Sequence, residues 1–169
     1  MPATRTLMPV EEYLTSVYRP DCDYVDGELL ERNMGERDHA WLQGAFVAYF
    51  FALRKERNIT VLPEMRVQVK PNRFRIPDVC VVIGDTNEQI LTKPPFLCIE
   101  ILSPEDRWSR VEERIDDFIA MGVPFVWVLD PQTKHAFIIT HAEGLREVKD
   151  GVLRTHNPTF EVPLSEFFS

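Results

Sequence analysis

The chain has 169 residues, of which 44% are hydrophobic, and its formal net charge is −8. This length can bury one sizeable core and no Ser-, Gly- or Pro-rich linker interrupts it, so we expect a single domain over residues 1–169. The negative charge argues against broad non-specific affinity for nucleic acid, and no apolar run approaches the roughly 18 residues needed to span a bilayer, so we expect a soluble cytoplasmic protein without membrane contact.

The first third of the chain predicts a short helix, a hairpin and a long helix. The short helix is expected over Pro9 to Val17. Asp26-Gly27, between two strand-like runs, is a two-residue hairpin signal. From Glu36 to Arg57 the apolar residues recur with the helical period, which predicts the first long helix.

The middle of the chain predicts three strands and a second long helix. Alternation over 65–69 indicates a half-exposed strand, and buried strands are expected over Pro77 to Ile83 and Phe96 to Leu102. Ser103 then resembles a helix N-cap, with Pro104 at the first helical position and acidic residues in the first turn. Gly122 suits a left-handed cap at the end of this helix. The apolar stripe of the helix is Trp108, Val111, Ile115, Phe118 and Ile119.

The last third predicts strands over Phe125 to Leu129, His135 to Thr140 and Leu145 to Val148. A helix connects the strand that starts at Phe96 to the strand that ends at Leu129, so these two strands should be parallel neighbours. The predicted class is therefore α/β, with a mixed β-sheet core flanked by helices.

Two acidic residues, Asp78 and Glu100, stand inside apolar runs that otherwise predict buried strands. A carboxylate in a water-poor site needs a cation or several hydrogen bonds to remain ionised, so the pair suggests a hard metal ion. Alternation along the strand places Glu100 on the face of Cys98 and Leu102. An antiparallel arrangement of the two strands would bring Asp78 beside Glu100.

Other candidate residues have plain structural alternatives. Arg107 and Arg114 fall on one flank of the second long helix and could reach the carboxylates, with Arg110 farther round; Arg73 and Arg75 are also near in sequence, but ordinary surface charge is an equal alternative. Glu64 is a third acid or an exposed residue at a strand end. His39 is functional or a satisfied structural histidine, and Asp78 itself could cap a turn.

The remaining aromatic, cysteine and histidine residues favour structural roles. We expect Trp108 and Trp127 in the core, and Cys22, Cys80 and Cys98 as reduced core residues. The surface histidines are expected to be His135, His141 and His156.

The order of the motifs resembles a known nuclease superfamily. Pro77-Asp78, followed by Glu100 within an apolar strand, resembles the signature of the PD-(D/E)XK nucleases. The longer set of motifs is similar to the Uma-type putative restriction endonuclease family over nearly the full length. That set comprises Tyr24 to Leu29, His39, Glu100 to Pro104, Gly122 to Pro124 and Val126 to Pro131.

This resemblance implies a restriction-endonuclease-like fold and a nucleic acid substrate, expected to be DNA. Because cutting two strands needs two sites, we also expect a homodimer. It implies that Asp78 and Glu100 bind Mg²⁺ or Mn²⁺ and that a nearby cation steadies the attacking water or the phosphate. The lysine of the superfamily motif is Leu102 here, and the lysine that replaces it in the Uma-type branch is Arg114. Arginine can hold a phosphate but can hardly act as a base, so turnover could be lost or slowed.

Three hypotheses follow from the sequence. The first is a metal-dependent endonuclease with Asp78, Glu100, Arg114 and His39 as its site. The second is a nucleic-acid-binding or accessory module on the same fold, weakened catalytically by Arg114. The third is a structural or dimerising protein whose acids pair internally with Arg73, Arg75 or Arg114.

Overall fold

The computed structural model describes residues 6–33 and 35–168. Its helices are α1 (Val10–Thr15), α2 (Arg37–Arg57) and α3 (Trp108–Met121). Its strands are β1 (Cys22–Val25), β2 (Glu28–Glu31), β3 (Ile59–Pro63), β4 (Val67–Lys70), β5 (Arg73–Arg75), β6 (Val79–Ile83), β7 (Leu97–Ile101), β8 (Phe125–Asp130), β9 (His135–Thr140), β10 (Gly144–Glu147), β11 (Val152–Arg154) and β12 (Glu161–Pro163), followed by a 3₁₀ turn at Leu164–Glu166.

The main sheet has six strands in the order β10-β9-β8-β7-β6-β3. The strands β7 and β8 are parallel and are connected through α3, as the crossover pattern predicts, and the other neighbouring pairs are antiparallel. The edge strand β3 is absent from the prediction. It starts directly after Asn58, whose left-handed conformation ends α2, so only one residue separates this strand from the helix that was predicted to end at Arg57.

The two long helices cover opposite faces of this sheet. Phe46 of α2 belongs to the same apolar cluster as Leu97, Ile99 and Ile101 of β7. Ile115 of α3 belongs to the cluster that contains Cys98 and, at its edge, Leu102. This arrangement confirms the predicted alternation along β7 and directs Glu100 towards α3.

A second sheet, in the order β2-β1-β5-β4, lies beside α3. Its hairpin turns at Asp26 and Gly27, whose φ angles of 50° and 93° are both positive, as a type I′ turn requires. Arg73 and Arg75 of β5 form ion pairs with Asp117 of α3. The hairpin is thereby held close to the end of β7, and Arg32 follows directly after β2.

The predicted start of the second long helix is wrong. The helix α3 begins at Trp108 rather than near Ser103, and Arg107 at its N-cap has extended backbone. The carboxylate of Asp106 accepts the N–H of Ser103 at 2.7 Å, while the N–H of Asp106 donates to the carbonyl of Ser103 at 3.0 Å. These two bonds close a separate turn, and the extended backbone of Arg107 interrupts it, so the regular helix begins only at Trp108.

The predicted burial of the side chains with structural roles is confirmed, except for Trp108. Trp108 is 45% exposed, so its assignment to the core is wrong, whereas Trp127 is fully buried as expected. Trp108 is the first residue of α3 because that helix starts late, and its ring lies beside Phe137 of β9 with the two ring centroids 6.4 Å apart, so it is only partly covered by the sheet. The cysteines are free and buried and the three surface histidines are exposed, which confirms these assignments for Cys22, Cys80, Cys98, His135, His141 and His156.

The helix α2 is apolar on its outer side as well as on its inner side. Leu42, Phe46 and Phe50 face the sheet, while Trp41 and Phe51 are 45% and 52% exposed. Within the described part of the chain, no helix has the length and apolar character to cross a bilayer.

Candidate functional site

Asp78 and Glu100 face each other at one end of the strand pair β6–β7. The pair is antiparallel with Val79 opposite Ile99, so the next position outward places Asp78 opposite Glu100. Each of the two acids is only 2% exposed. The expected juxtaposition of the acids is therefore present.

Both carboxylate oxygens of Asp78 have partners. Oδ1 accepts a hydrogen bond of 2.6 Å from Nη2 of Arg32 and lies 3.2 Å from Nε2 of His39. Oδ2 accepts the backbone N–H of Ile101 at 2.7 Å. Gln43, one helical turn after His39, donates to the backbone carbonyl of Asp78 at 3.0 Å. Asp78 is thus fixed by β7, by α2 and by the residue after β2.

Glu100 has one engaged oxygen and one open oxygen. Oε2 lies 3.4 Å from Nη2 of Arg114, which is a long contact. Oε1 is buried, and none of the described residues donates a hydrogen bond to it. A buried carboxylate oxygen without a partner is unfavourable, so this atom is suited to a ligand.

The surroundings shift the pKa values of the two acids in opposite directions. Burial raises the pKa of Glu100 to about 7, against the opposing charge of Arg114. Burial also acts to raise the pKa of Asp78, but the hydrogen bond from His39, the charge of Arg32 and the Ile101 amide outweigh it and lower that pKa. Burial acts to lower the pKa of His39, yet its hydrogen bond with Asp78 leaves that pKa raised. Such divergence between neighbouring acids is typical of functional sites.

The two acids open into a cavity of about 220 Å³. Its basic lining residues come from the segment after β2 and from the start of α3; they are Arg32, Arg107, Arg110 and Arg114. Asn33 donates to Oδ1 of Asp106 at 2.9 Å, which links these two segments at the rim. Glu31, Glu105 and Asp106 line the same cavity, so it combines two buried carboxylates with a rim of mixed charge whose arginines can bind anionic groups.

The structure separates the remaining candidates. His39 and Arg114 contact the acid pair, and Arg107 and Arg110 line its cavity. The expectation that Arg73 and Arg75 pair with these acids is wrong. These two arginines bind other carboxylates, because β5 points them towards the hairpin and α3; their partners are Asp23, Asp26, Glu113 and Asp117.

Glu64 lies at the edge of the site. Its side chain is 50% exposed, and Oε1 is 3.9 Å from Nη1 of Arg32. It does not line the cavity described above. Its exposed position at the end of β3 agrees with the simpler of the two sequence interpretations.

Sequence reasoning missed Arg32, which makes the shortest side-chain contact to Asp78. The two residues are 46 positions apart and flank strands of different sheets, since Arg32 follows β2 and Asp78 precedes β6. Neither spacing nor periodicity relates them, since the contact depends on how the hairpin packs against the main sheet. Gln43 could have been found, because it follows His39 by four residues and shares its helix face.

The donor set fits a divalent ion of the Mg²⁺ type. No cluster of three or more His, Cys, Asp or Glu residues suited to a metal occurs among residues 6–33 and 35–168. Mg²⁺ is nevertheless commonly held by one or two carboxylates together with water and substrate phosphate. Asp78 and the open oxygen of Glu100 are the residues that would hold it.

The comparisons with known proteins agree with this geometry. The model of the family Uma2, described as "Putative restriction endonuclease", matches residues 10–167. The chain belongs to the Uma2 family. No curated protein matches the chain.

A solved structure shows the same fold as this Uma2 member. It is the crystal structure of a putative nuclease belonging to DUF820 from Anabaena variabilis. The two chains share 20% sequence identity with a TM-score of 0.80, over 95% of this chain and 98% of the other. The expected restriction-endonuclease-like α/β fold is thereby confirmed.

Proposed function

We propose that this Uma2 protein is a metal-dependent endonuclease that hydrolyses phosphodiester bonds in DNA. The observation that carries the proposal is the buried Oε1 of Glu100, which receives no hydrogen bond from the described residues and lies opposite Asp78 in a cavity that four arginines help to line. A Mg²⁺ or Mn²⁺ ion bound by the two acids would polarise the phosphodiester and lower the pKa of a coordinated water.

The protein's own groups would supply orientation and charge. Arg114 would bind the phosphate and offset negative charge as it develops. His39, held against Asp78, would fix that carboxylate and hold a proton near it. Arg107 and Arg110, both exposed, would bind flanking phosphates.

The test is cleavage of supercoiled plasmid in Mg²⁺ or Mn²⁺, with a structured RNA as the alternative substrate. Asp78→Asn and Glu100→Gln keep the side-chain volume and remove the charge. Each should lower the cleavage rate at least a hundredfold, because the ion would lose a charged ligand. The matched control is Glu112→Gln, an exposed acid of α3, which should cut like the natural protein. Cutting that survives both site substitutions contradicts the proposal, and cutting of RNA alone contradicts the DNA substrate.

A second candidate function is favoured by the ion pairs of the site. Arg32 neutralises Asp78 and Arg114 faces Glu100, so both acids have internal cations. A nucleic-acid-binding module that no longer cuts would have this arrangement. Binding of DNA that is independent of added metal and occurs without cleavage would select this candidate. Loss of both binding and cleavage would select a purely structural role.

We further propose a homodimer, because cutting two strands requires two sites. The outer side of α2 supports this proposal with exposed Trp41 and Phe51 on either side of the small residue Ala48. Antiparallel packing of two α2 helices would also bring the N-terminus of one helix, where the dipole is positive, beside the C-terminus of the other, where it is negative. The free buried thiols favour a reducing compartment such as the cytoplasm.

A further inference from the structure

A second cavity of about 260 Å³ lies behind the arginines of the candidate site. Asp23 and Arg75 line this second cavity and do not line the first. Arg32, Arg110 and Arg114 line both. The arginines that face the acid pair therefore also face a second space on the side of the β1–β2 hairpin.

Asp23 is a buried acid with an open oxygen in this second space. It is 3% exposed, and its Oδ2 lies 3.2 Å from Nη1 of Arg75. Its Oδ1 is buried and receives no hydrogen bond from the described residues. Burial raises the pKa of Asp23, while the charges of Arg32, Arg75 and Arg114 oppose that rise. Asp23 thus has room for a further hydrogen-bond donor.

Among the three arginines that line both cavities, Arg114 has a buried donor to spare. Its contact with Glu100 measures 3.4 Å, whereas Arg32 holds Asp78 at 2.6 Å. Nε of Arg114 is buried without a partner among the described residues. A guanidinium has five N–H groups in a fixed fork, so one group can bind a carboxylate while the others bind a second anion.

A divalent ion held by Asp78 and Glu100 would repel an arginine that remains on the same carboxylate. Arg114 would then need another acceptor, since an unpaired buried charge is strongly unfavourable. The open oxygen of Asp23 borders the cavity that Arg114 also lines.

We propose that Asp23 is a positioning residue for the nuclease reaction. When a divalent cation occupies the acid pair, the guanidinium of Arg114 leaves Glu100 and donates a hydrogen bond to the carboxylate of Asp23 instead. Held in this way, Arg114 keeps terminal N–H groups for the substrate phosphate. The inference rests on the proposed function, because it requires the cation site.

The experiment measures Mn²⁺ binding by calorimetry, without nucleic acid, at pH 8.5. Asp23→Asn should weaken Mn²⁺ binding about tenfold, because Arg114 then stays on Glu100 and competes with the ion. The matched control is Asp117→Asn, since Asp117 also binds Arg75 but lines neither cavity. This control should leave the Mn²⁺ affinity within a factor of two. Asp23→Glu restores a carboxylate and should recover most of the affinity.

A second variant keeps the test valid if Asp23→Asn does not fold. Arg114→Gln removes the competing cation, so its Mn²⁺ affinity should equal or exceed that of the natural protein. Adding Asp23→Asn to Arg114→Gln should then have no further effect. The inference is overturned if Asp23→Asn binds Mn²⁺ normally, if Asp117→Asn loses as much affinity, or if Arg114→Gln weakens binding tenfold. A natural protein that binds no Mn²⁺ overturns the proposed function as well, which separates the two failures.

Discussion

Asp78 and Glu100 occupy facing positions on one strand pair, yet their pKa values shift in opposite directions. Hydrogen bonds and a close guanidinium compensate Asp78 for burial, whereas Glu100 has only the long contact with Arg114. Near neutral pH, Asp78 is therefore ionised, whereas Glu100 is partly protonated. A cation that binds both acids must displace that proton, so its affinity should rise as the pH rises through 7.

The pKa of Glu100 predicts how stability depends on pH. Its pKa is about 7 in the folded protein and 4.5 in the reference state, so the folded state binds the proton more tightly. The resulting stabilisation is present below pH 4.5 and is lost as the pH rises through 7; it is on the order of 3 kcal/mol. The melting temperature of the metal-free protein should therefore fall across this range relative to Glu100→Gln, as measured by calorimetry. The control Glu112→Gln should follow the natural protein, and parallel profiles for the natural protein and Glu100→Gln would contradict the assignment.

Replacement of Arg114 by lysine should change both kcat and KM. We expect Arg114→Lys to raise kcat several-fold, because a lysine ammonium can lose its proton and act as a base, whereas a guanidinium remains protonated. The same change should raise KM, because lysine lacks the fork that binds a phosphate through two N–H groups. Plasmid cleavage at several DNA concentrations separates the two effects, with exposed Arg146→Lys as the control. A fall in kcat would show that arginine is the group that the reaction uses.

At the scale of the elements, the sequence predicted best where one periodicity decides the structure. The alternation in β7 assigned each of its side chains to the correct face, and the β7–α3–β8 connection predicted the parallel pair. The start of α3 was mistaken because Asp106 bonds to Ser103 and forms a turn before the helix. Arg32 could not be foreseen, because the packing of two sheets and not a local pattern brings it to Asp78.

The outer side of α2 predicts where two copies meet. Ala48→Cys would place a thiol near the two-fold axis of an antiparallel pair, within the short distance that a disulfide requires. Mild oxidation should therefore convert most of this variant to a covalent dimer on non-reducing gels. The natural cysteines are buried and should not react, and Ala120→Cys on the exposed side of α3 is the matched control. Equal crosslinking of both variants would contradict a dimer through α2.

At the scale of the whole molecule, a net charge of −8 coexists with an arginine-rich opening around the site. Long-range attraction of DNA by the whole chain is thus weak, so the proposed binding of DNA would depend on contacts made by a few cations. The sequence predicted the net negative charge and the presence of several of these arginines near the acid pair. It could not show which ones share a cavity, because Arg73 and Arg75 stand close to Asp78 in the chain but bind carboxylates elsewhere.

This charge distribution predicts a specific dependence on salt. Each phosphate contact contributes about 0.9 to the slope of log affinity against log salt concentration. Replacing Arg107 and Arg110 with alanine should therefore reduce the slope by about 2. This slope is measured by fluorescence anisotropy with labelled duplex DNA, in the Glu100→Gln background to prevent cutting. The control Arg146→Ala should keep the slope, and an unchanged slope in the double variant would exclude these two arginines as phosphate contacts.

The bond from the backbone N–H of Ile101 to Oδ2 of Asp78 gives the molecule an internal spectroscopic reporter. Ile101 is 2% exposed, so its amide proton is shielded from solvent and senses mainly the electron density of that one oxygen. In a nitrogen–proton correlation spectrum, this resonance should move when Asp78 takes up a proton, exchanges Arg32 for another cation, or changes its orientation. Occupancy of the site can therefore be followed on the unmodified backbone, without a substrate or an attached label.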